Sequence, residues 1–176
     1  MHSSSPALRP PALRRALACL LAAWLAAAPV PAAAADRFKP FSLRSAEGVK
    51  TSLADVQGRR ATLVVFFFPT CGFCRAFVPE VRTLEAAYRD RGLSVVWINV
   101  VPKEDRLVAD WRRTNGIGGA VLLGGRSAIR DYGVAMTPTH VLLDASGRVA
   151  ARHAGFAPGD EGRLEPQVRA LLDETP

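Results

Sequence analysis

The hydrophobic pattern of the chain changes its period several times, and each change predicts a new element. Residues 61–68, ATLVVFFF, form a continuous apolar run of the kind found in strands that are buried on both faces of a parallel sheet. A second run of this type, LSVVWINVV, occupies residues 93–101. Between the two runs, four apolar residues recur at steps of four, three and four, which is the spacing of one helix face. They are Phe77, Val81, Leu84 and Tyr88.

The second half of the chain alternates in the same way. KEDRLVADWRRTNG predicts a helix stopped by Asn115-Gly116, and a short AVLL and a polar, helix-like SAIRDYG follow. THVLLD and RVAAR, joined by a tight turn at Ser146-Gly147, predict an antiparallel hairpin. Apolar residues at 164, 168, 171 and 172 predict a closing helix. The pattern is typical of an α/β fold with a central sheet, and we expect two helices on each face.

The first 35 residues have the composition of a secretory signal peptide rather than of a folded domain. A basic patch with three arginines precedes the apolar segment 16–30, and small residues follow before Asp36. The alternative is an uncleaved inner-membrane anchor through residues 16–30, but fifteen residues are fewer than the roughly 20 that a spanning helix needs. We therefore predict a signal peptide at 1–35, a single domain at 36–176 and a periplasmic location.

The charge of the chain argues against nucleic acid as a partner. The formal net charge is +7, and removal of residues 1–35 takes away three arginines and no acid, which leaves +4. The remaining basic residues are scattered, with no interleaved aromatic residues that would stack on bases.

Two cysteines carry the candidate chemistry. Export would remove Cys19, which leaves Cys71 and Cys74 directly after the first buried strand and at the start of the predicted helix. A disulfide between residues three apart constrains the unfolded chain very little, so stability is a poor reason for the pair. Helix N-terminal amide groups favour a thiolate at Cys71, and the thiolate is the species that attacks disulfides. We therefore predict that Cys71 attacks and that Cys74, one turn further and pointed inward, resolves the mixed disulfide.

A metal site is the competing interpretation of the same pair. A closed zinc site needs four ligands, and only His140 and His153 are available as histidine ligands after residue 35. Cys71, Cys74 and His140 could still come together across the fold and hold copper, as in a metallochaperone. Both histidines are otherwise ordinary strand positions.

At this point the sequence resembles a known family. FSLRSAEGVKTSLADVQGRRATLVVFFFPTCGFCRAFVPEV and GVAMTPTHVLLDASGRVAARHAG are similar to the TlpA/ResA-type thioredoxin-like proteins, which are exported thiol-disulfide oxidoreductases related to cytochrome c maturation reductases. The resemblance covers about residues 41–172. It implies a thioredoxin-like fold: a central mixed sheet with helices on both faces, ending in a β-hairpin and a C-terminal helix.

The resemblance also implies the parts of the site. Pro138 is expected to be a cis-proline that places the Thr137 backbone against the disulfide, where a substrate strand can pair with it. Pro79 matches the proline that kinks the active-site helix, a structural role. No bound cofactor is expected, because electrons move through the Cys71–Cys74 pair. The expected partners are a membrane thiol donor of the CcdA/DsbD type and a client with oxidised cysteines, such as apocytochrome c.

The chain departs from the family where an acid would assist proton transfer at the second cysteine. Val65 stands where thioredoxins have a buried Asp, and Phe77 stands where related reductases often have a Glu. Thr70 replaces the Trp that commonly precedes the first cysteine. Glu104, after the second strand, is the acid that we retain as a candidate for proton transfer. The apolar Gly72-Phe73 dipeptide favours a reductase over an oxidant.

Overall fold

The computed structural model describes residues 36–174, which contain seven strands and five helices. The strands are β1 (Ser42–Ser45), β2 (Lys50–Ser52), β3 (Ala61–Phe67), β4 (Leu93–Asn99), β5 (Ala120–Leu123), β6 (Thr139–Asp144) and β7 (Val149–Ala154). The helices are α1 (Leu53–Val56), α2 (Gly72–Tyr88), α3 (Asp105–Thr114), α4 (Gly125–Tyr132) and α5 (Leu164–Asp173). Each long element lies where the hydrophobic pattern predicts it.

All seven strands form one mixed sheet in the order β2-β1-β5-β4-β3-β6-β7. Strands β3, β4 and β5 run parallel, and β6 returns antiparallel to β3. Every residue of β3 is buried, as the unbroken apolar run predicts for a strand covered on both faces. Because β6 is antiparallel to β3, the start of β6 lies beside the end of β3.

The sheet carries a hydrophobic core on each face. On one face, buried side chains of α2, α3 and α5 pack on alternate residues of the central strands. On the other face, α4 and the one-turn helix α1 pack on the intervening residues. The expectation of two helices on each face is therefore wrong. The helix at 105–114 joins the face that α2 and α5 already cover, and its Trp111 packs at 4.1 Å between ring centroids on Phe67.

The hydrophobic pattern did not predict the one-turn helix α1. Its start is fixed by a local hydrogen bond, in which the Ser52 backbone N–H donates to the Asp55 carboxylate at 2.7 Å. This bond belongs to a capping box, and the serine followed three residues later by an acid was its signal in the sequence.

The predicted signal peptide, with Cys19 and the candidate anchor at 16–30, lies outside the described residues. Between residues 36 and 174, no helix combines the length and the apolar character needed to cross a membrane.

Candidate active site

The two cysteines lie at the N-terminus of α2, directly beyond the end of β3. Cys71 is the N-cap residue and Cys74 lies in the first turn. They form a disulfide with their Cα atoms 5.2 Å apart. The short connection holds Cys71 by a hydrogen bond from its backbone N–H to the Phe68 carbonyl, at 3.1 Å. The buried strand therefore fixes the position of the two sulfurs.

The surroundings of the Cys71 sulfur are polar but uncharged. The Cys74 backbone N–H donates to Cys71 Sγ at 3.1 Å, and the Thr137 hydroxyl approaches it at 3.5 Å. The Thr137 carbonyl oxygen lies 3.6 Å from the same sulfur. The two donors stabilise a thiolate at Cys71, whereas the carbonyl oxygen repels it.

The two cysteines differ in burial in the predicted order. Cys71 retains 6% of its exposure and Cys74 retains none. An incoming sulfur can therefore reach Cys71 more readily than Cys74. The assignment of attack to Cys71 and of resolution to Cys74 stays a prediction, and this order of burial agrees with it.

The loop before β6 forms the opposite wall of the site. The Thr137–Pro138 peptide bond is cis, which confirms the expectation taken from the family resemblance. The loop brings Thr137 to Cys71 across 66 positions of sequence. The role of Thr137 and Pro138 in binding a substrate strand stays a prediction.

Two large apolar side chains stand exposed at the rim of the site. Phe73, between the cysteines, is 58% exposed, and Met136, next to Thr137, is 54% exposed. Because Phe73 lies between the cysteines and Met136 precedes the residue that contacts Cys71 Sγ, a partner chain that reaches Cys71 can contact apolar surface there.

A stack of aromatic rings lies on the same sheet face as Cys74. His140 is only 7% exposed, and its ring stacks on Phe77 at 4.9 Å and on His153 at 5.0 Å between ring centroids. His140 pairs in register with Val65 on β3 and with His153 on β7. It is thus a strand residue, as predicted, but a buried one whose Nδ1 atom has no hydrogen-bond partner.

A cavity of about 150 Å³ opens along this stack. Its wall combines the stacked rings with polar and charged side chains of α2, of α5 and of the loop between β7 and α5. The lining residues that matter below are Phe77, Glu80, His140, His153, Asp160 and Arg163. The cavity has room for water and offers it polar partners.

Glu80 of α2 faces this cavity. It is half-buried, and its Oε2 atom is buried without a hydrogen-bond partner. Burial raises the pKa of the Glu80 carboxyl, against the opposing effect of the Gly162 and Leu164 backbone N–H groups, and the nearby acid Glu161 raises it further. Burial also lowers the pKa of His140 to about 4, with help from repulsion by His153 and against the opposing effect of Asp160.

Glu104, the acid retained from the sequence, precedes α3 as its N-cap residue, and its Oε2 atom is buried without a hydrogen-bond partner. It follows β4, whose carboxyl end lies beside that of β3 because the two strands are parallel. Glu104 is therefore at the same edge of the sheet as Cys71. Its part in proton transfer stays a prediction.

The copper site that Cys71, Cys74 and His140 would form is not favoured. Across residues 36–174, His, Cys, Asp and Glu side chains are nowhere grouped in threes or more in a way that could hold a metal ion. The two sulfurs are instead bonded to each other.

Comparison with known proteins gives the same picture. The Redoxin family profile matches residues 33–172. Thioredoxin-like protein YneN of Bacillus subtilis is 31% identical over 117 residues, which are 65% of this chain and 68% of YneN. Thiol-disulfide oxidoreductase ResA of Bacillus thuringiensis is 26% identical over 65% of this chain and 66% of its own length.

Among solved structures, a DsbE-type thiol:disulfide interchange protein from Chlorobium tepidum superposes with a TM-score of 0.71. It is 29% identical, and the match covers 78% of this chain and 96% of that one. The family profile, these relatives and the cysteine pair at the tip of α2 agree. The chain belongs to the Redoxin family, as a TlpA/ResA-type thiol-disulfide oxidoreductase with a thioredoxin-like fold.

Proposed function

We propose that this oxidoreductase acts as a reductase of protein disulfides in the bacterial periplasm. The observation that carries the proposal is the Cys71–Cys74 pair, with one sulfur at the rim of the fold and the other fully buried. Such a pair can form a mixed disulfide at the first sulfur and release the client through the second.

The groups around the Cys71 sulfur support the proposed direction of electron flow. A strong oxidant of this kind stabilises its thiolate strongly, with a pKa of about 3.5, whereas a reductant has a thiol pKa near 7. Here the sulfur receives neutral donors only, and the Thr137 carbonyl oxygen at 3.6 Å opposes negative charge on it. The reduced form is therefore not strongly favoured, and the dithiol readily gives up its electrons.

The N-terminal sequence and the family support the proposed location and partners. The composition of residues 1–35 supports export, either with cleavage or with an anchor at 16–30. A reductase in an oxidising compartment needs a thiol donor, and we infer a membrane protein of the CcdA/DsbD type. The client carries oxidised cysteines, and apocytochrome c is the candidate. No bound cofactor takes part in this scheme, since two electrons and the accompanying protons pass between thiols and disulfides.

The reduction potential of the Cys71–Cys74 pair tests the direction. Equilibration with a glutathione or dithiothreitol buffer, read by thiol alkylation, is expected to give a value closer to about −270 mV, as for thioredoxin, than to about −120 mV, as for a strong oxidant. A value at the oxidising end would reverse the proposed direction while leaving the exchange chemistry intact.

A further inference from the structure

The cavity along the ring stack is lined by residues whose buried polar atoms lack a partner. Glu80 and His140 both line it, and within residues 36–174 neither Glu80 Oε2 nor His140 Nδ1 has a hydrogen-bond partner. Burial lowers the pKa of His140 to about 4, so its imidazole is neutral at pH 7. With the proton on Nε2, Nδ1 is an acceptor, and an ionised carboxylate can only accept. Buried acceptors of this kind are rare, and a molecule that satisfies both must donate hydrogen bonds.

The charge of the lining favours a cation over a neutral donor. The carboxylates of Glu80 and Asp160 and the guanidinium of Arg163 line the cavity, which leaves one negative charge apart from the imidazoles. Arg163 is already bound to Asp160, at 2.9 Å between Nη1 and Oδ1, so Glu80 has no cation of its own. Burial raises the pKa of the Glu80 carboxyl, and repulsion by Glu161 and Asp160 adds to this effect. A cation beside Glu80 would offset the repulsion and stabilise the ionised carboxylate.

The lining suits an organic cation rather than a metal ion. Across residues 36–174, His, Cys, Asp and Glu side chains nowhere form a group of three or more that could hold a metal ion. Much of the wall is aromatic, and the rings that line the cavity are those of Phe77, His140, His153 and Phe156. Basic organic groups join a charged head to an apolar stem, and such a stem packs on apolar surface while the head stays with a polar partner.

We propose that this cavity binds an organic cation, an alkylguanidinium or alkylammonium group. Its head donates to the Glu80 carboxylate and to His140 Nδ1, and its stem packs on the rings. The volume is about 150 Å³, and a water molecule in the liquid occupies about 30 Å³. A head with the volume of a few waters therefore fits, together with the start of its stem.

The position of the cavity points to two sources of such a cation. Gly155 lines it, and the Gly155 N–H donates to the carbonyl oxygen of Pro138 at 2.7 Å. The sulfur of Met136 lies 3.1 Å from the position that a Cβ on Gly155 would take. The cavity thus adjoins the cis-proline loop, whose Thr137 contacts Cys71 Sγ. One source is an arginine or lysine side chain of a client, which rests on the proposed function, and the other is a free amine or alkylguanidine.

Binding of ethylguanidinium to the oxidised protein tests the site, and ethylurea, which has a similar shape without the charge, is the matched probe. Calorimetric titration at pH 7 and low salt is expected to give a Kd of roughly 1 mM for ethylguanidinium and binding of ethylurea about tenfold weaker or less. Glu80→Gln keeps the shape of the side chain and is expected to weaken ethylguanidinium binding about tenfold or more, because a charged acceptor is lost. His140→Phe removes a neutral acceptor and is expected to weaken it about threefold.

Glu104→Gln is the control variant for binding. Glu104 also has a buried Oε2 atom without a partner in the described part of the chain, and it lies outside the set of residues that lines the cavity. Its substitution removes the same charge, so binding should stay within about twofold of wild type. Equal affinity for the two probes would overturn the proposal, because water alone would then satisfy the cavity. Equal losses in Glu80→Gln and Glu104→Gln would also overturn it, as a sign of non-specific attraction to acids.

Peptide disulfides distinguish the two sources of the cation. Each peptide carries one cysteine as a mixed disulfide with 5-thio-2-nitrobenzoate, and it has either arginine or the neutral analogue citrulline at one position beside that cysteine. Reduced protein releases the coloured thiolate, which gives the second-order rate constant. If the cation is a client side chain, arginine is expected to react about tenfold faster than citrulline at one of these positions, and Glu80→Gln should abolish the difference.

The other outcomes are equally decisive. Binding of ethylguanidinium without any preference for the arginine peptide would support the site and assign its cation to a free solute. A preference for arginine that survives in Glu80→Gln would overturn the client side chain as the occupant of the cavity. A wild-type protein that reacts with none of the peptides would instead refute the proposed disulfide exchange, and the binding result would stand.

Discussion

Replacing His140 with phenylalanine should remove most of the acid sensitivity that this buried histidine confers on the folded protein. The ordinary pKa of a histidine is about 6.5, and burial lowers that of His140 to about 4. Between these two values the unfolded chain binds a proton that the folded chain does not. The part of the stability that depends on neutral His140 is therefore fully present above about pH 6.5, and it is lost as the pH drops toward 4.

The size of the effect follows from the two pKa values. Protonation of the unfolded chain lowers the free energy of unfolding by about 2 kcal/mol at pH 5 and by about 0.2 kcal/mol at pH 7. Since His140 is only 7% exposed, little of this is lost to solvent screening. Phenylalanine keeps the stack on Phe77 but cannot be protonated. Between pH 7 and pH 5, the free energy of unfolding of wild type should therefore fall by about 2 kcal/mol more than that of His140→Phe.

Urea unfolding at several pH values, followed by tryptophan fluorescence under oxidising conditions, measures this difference. Glu80 acts in the opposite direction, because its raised pKa favours the folded state as the pH falls. It is present in both proteins, so it largely cancels in the comparison. His153→Gln serves as the control, since it retains His140 and removes a neighbour that repels its protonated form. Between pH 7 and pH 5 this variant should lose slightly less stability than wild type. Parallel stability curves for wild type and His140→Phe, within about 0.5 kcal/mol, would refute the reasoning.

For four further substitutions, the structure predicts the effect. Cys74→Ser should accumulate mixed disulfides at Cys71 on non-reducing gels, because no second thiol can release the client, and rapid loss of the adduct would contradict the assigned roles. Gly58→Ala should destabilise by about 1–3 kcal/mol in urea unfolding, because the added Cβ would lie 2.6 Å from a backbone carbonyl oxygen. Gly72→Ala meets no atom within 4 Å and should leave the free energy of unfolding almost unchanged. Phe77→Ala should cost about 3–5 kcal/mol, because the ring is 1% exposed and stacks on other rings, and a midpoint within about 1 kcal/mol of wild type would contradict this.

Much of the fold was accessible to sequence reasoning because its elements obey simple periodicities. The continuous run at 61–68 became β3, buried at every position. The four-three-four spacing that begins at Phe77 became the inner face of α2. The helix at 105–114 was found, but its placement was not, since periodicity shows which side of a helix is apolar and not which face of the sheet receives it.

The cysteine pair was also accessible, because the chemistry of adjacent thiols at a helix start depends on local sequence alone. The placement of His140 and Glu80 around one cavity was not accessible from the sequence. It depends on the pairing of β6 with β3 and on the position of the loop before α5, which are contacts between distant segments.

The antiparallel return of β6 has a consequence for how the site comes into being. Synthesis proceeds from the N-terminus, so both sulfurs leave the ribosome well before the threonine that will lie against Cys71, 66 residues later in the chain. Until that late segment folds back, either sulfur is open to any oxidant or passing thiol. The difference in accessibility between the two sulfurs is thus established late in the folding of the newly made protein.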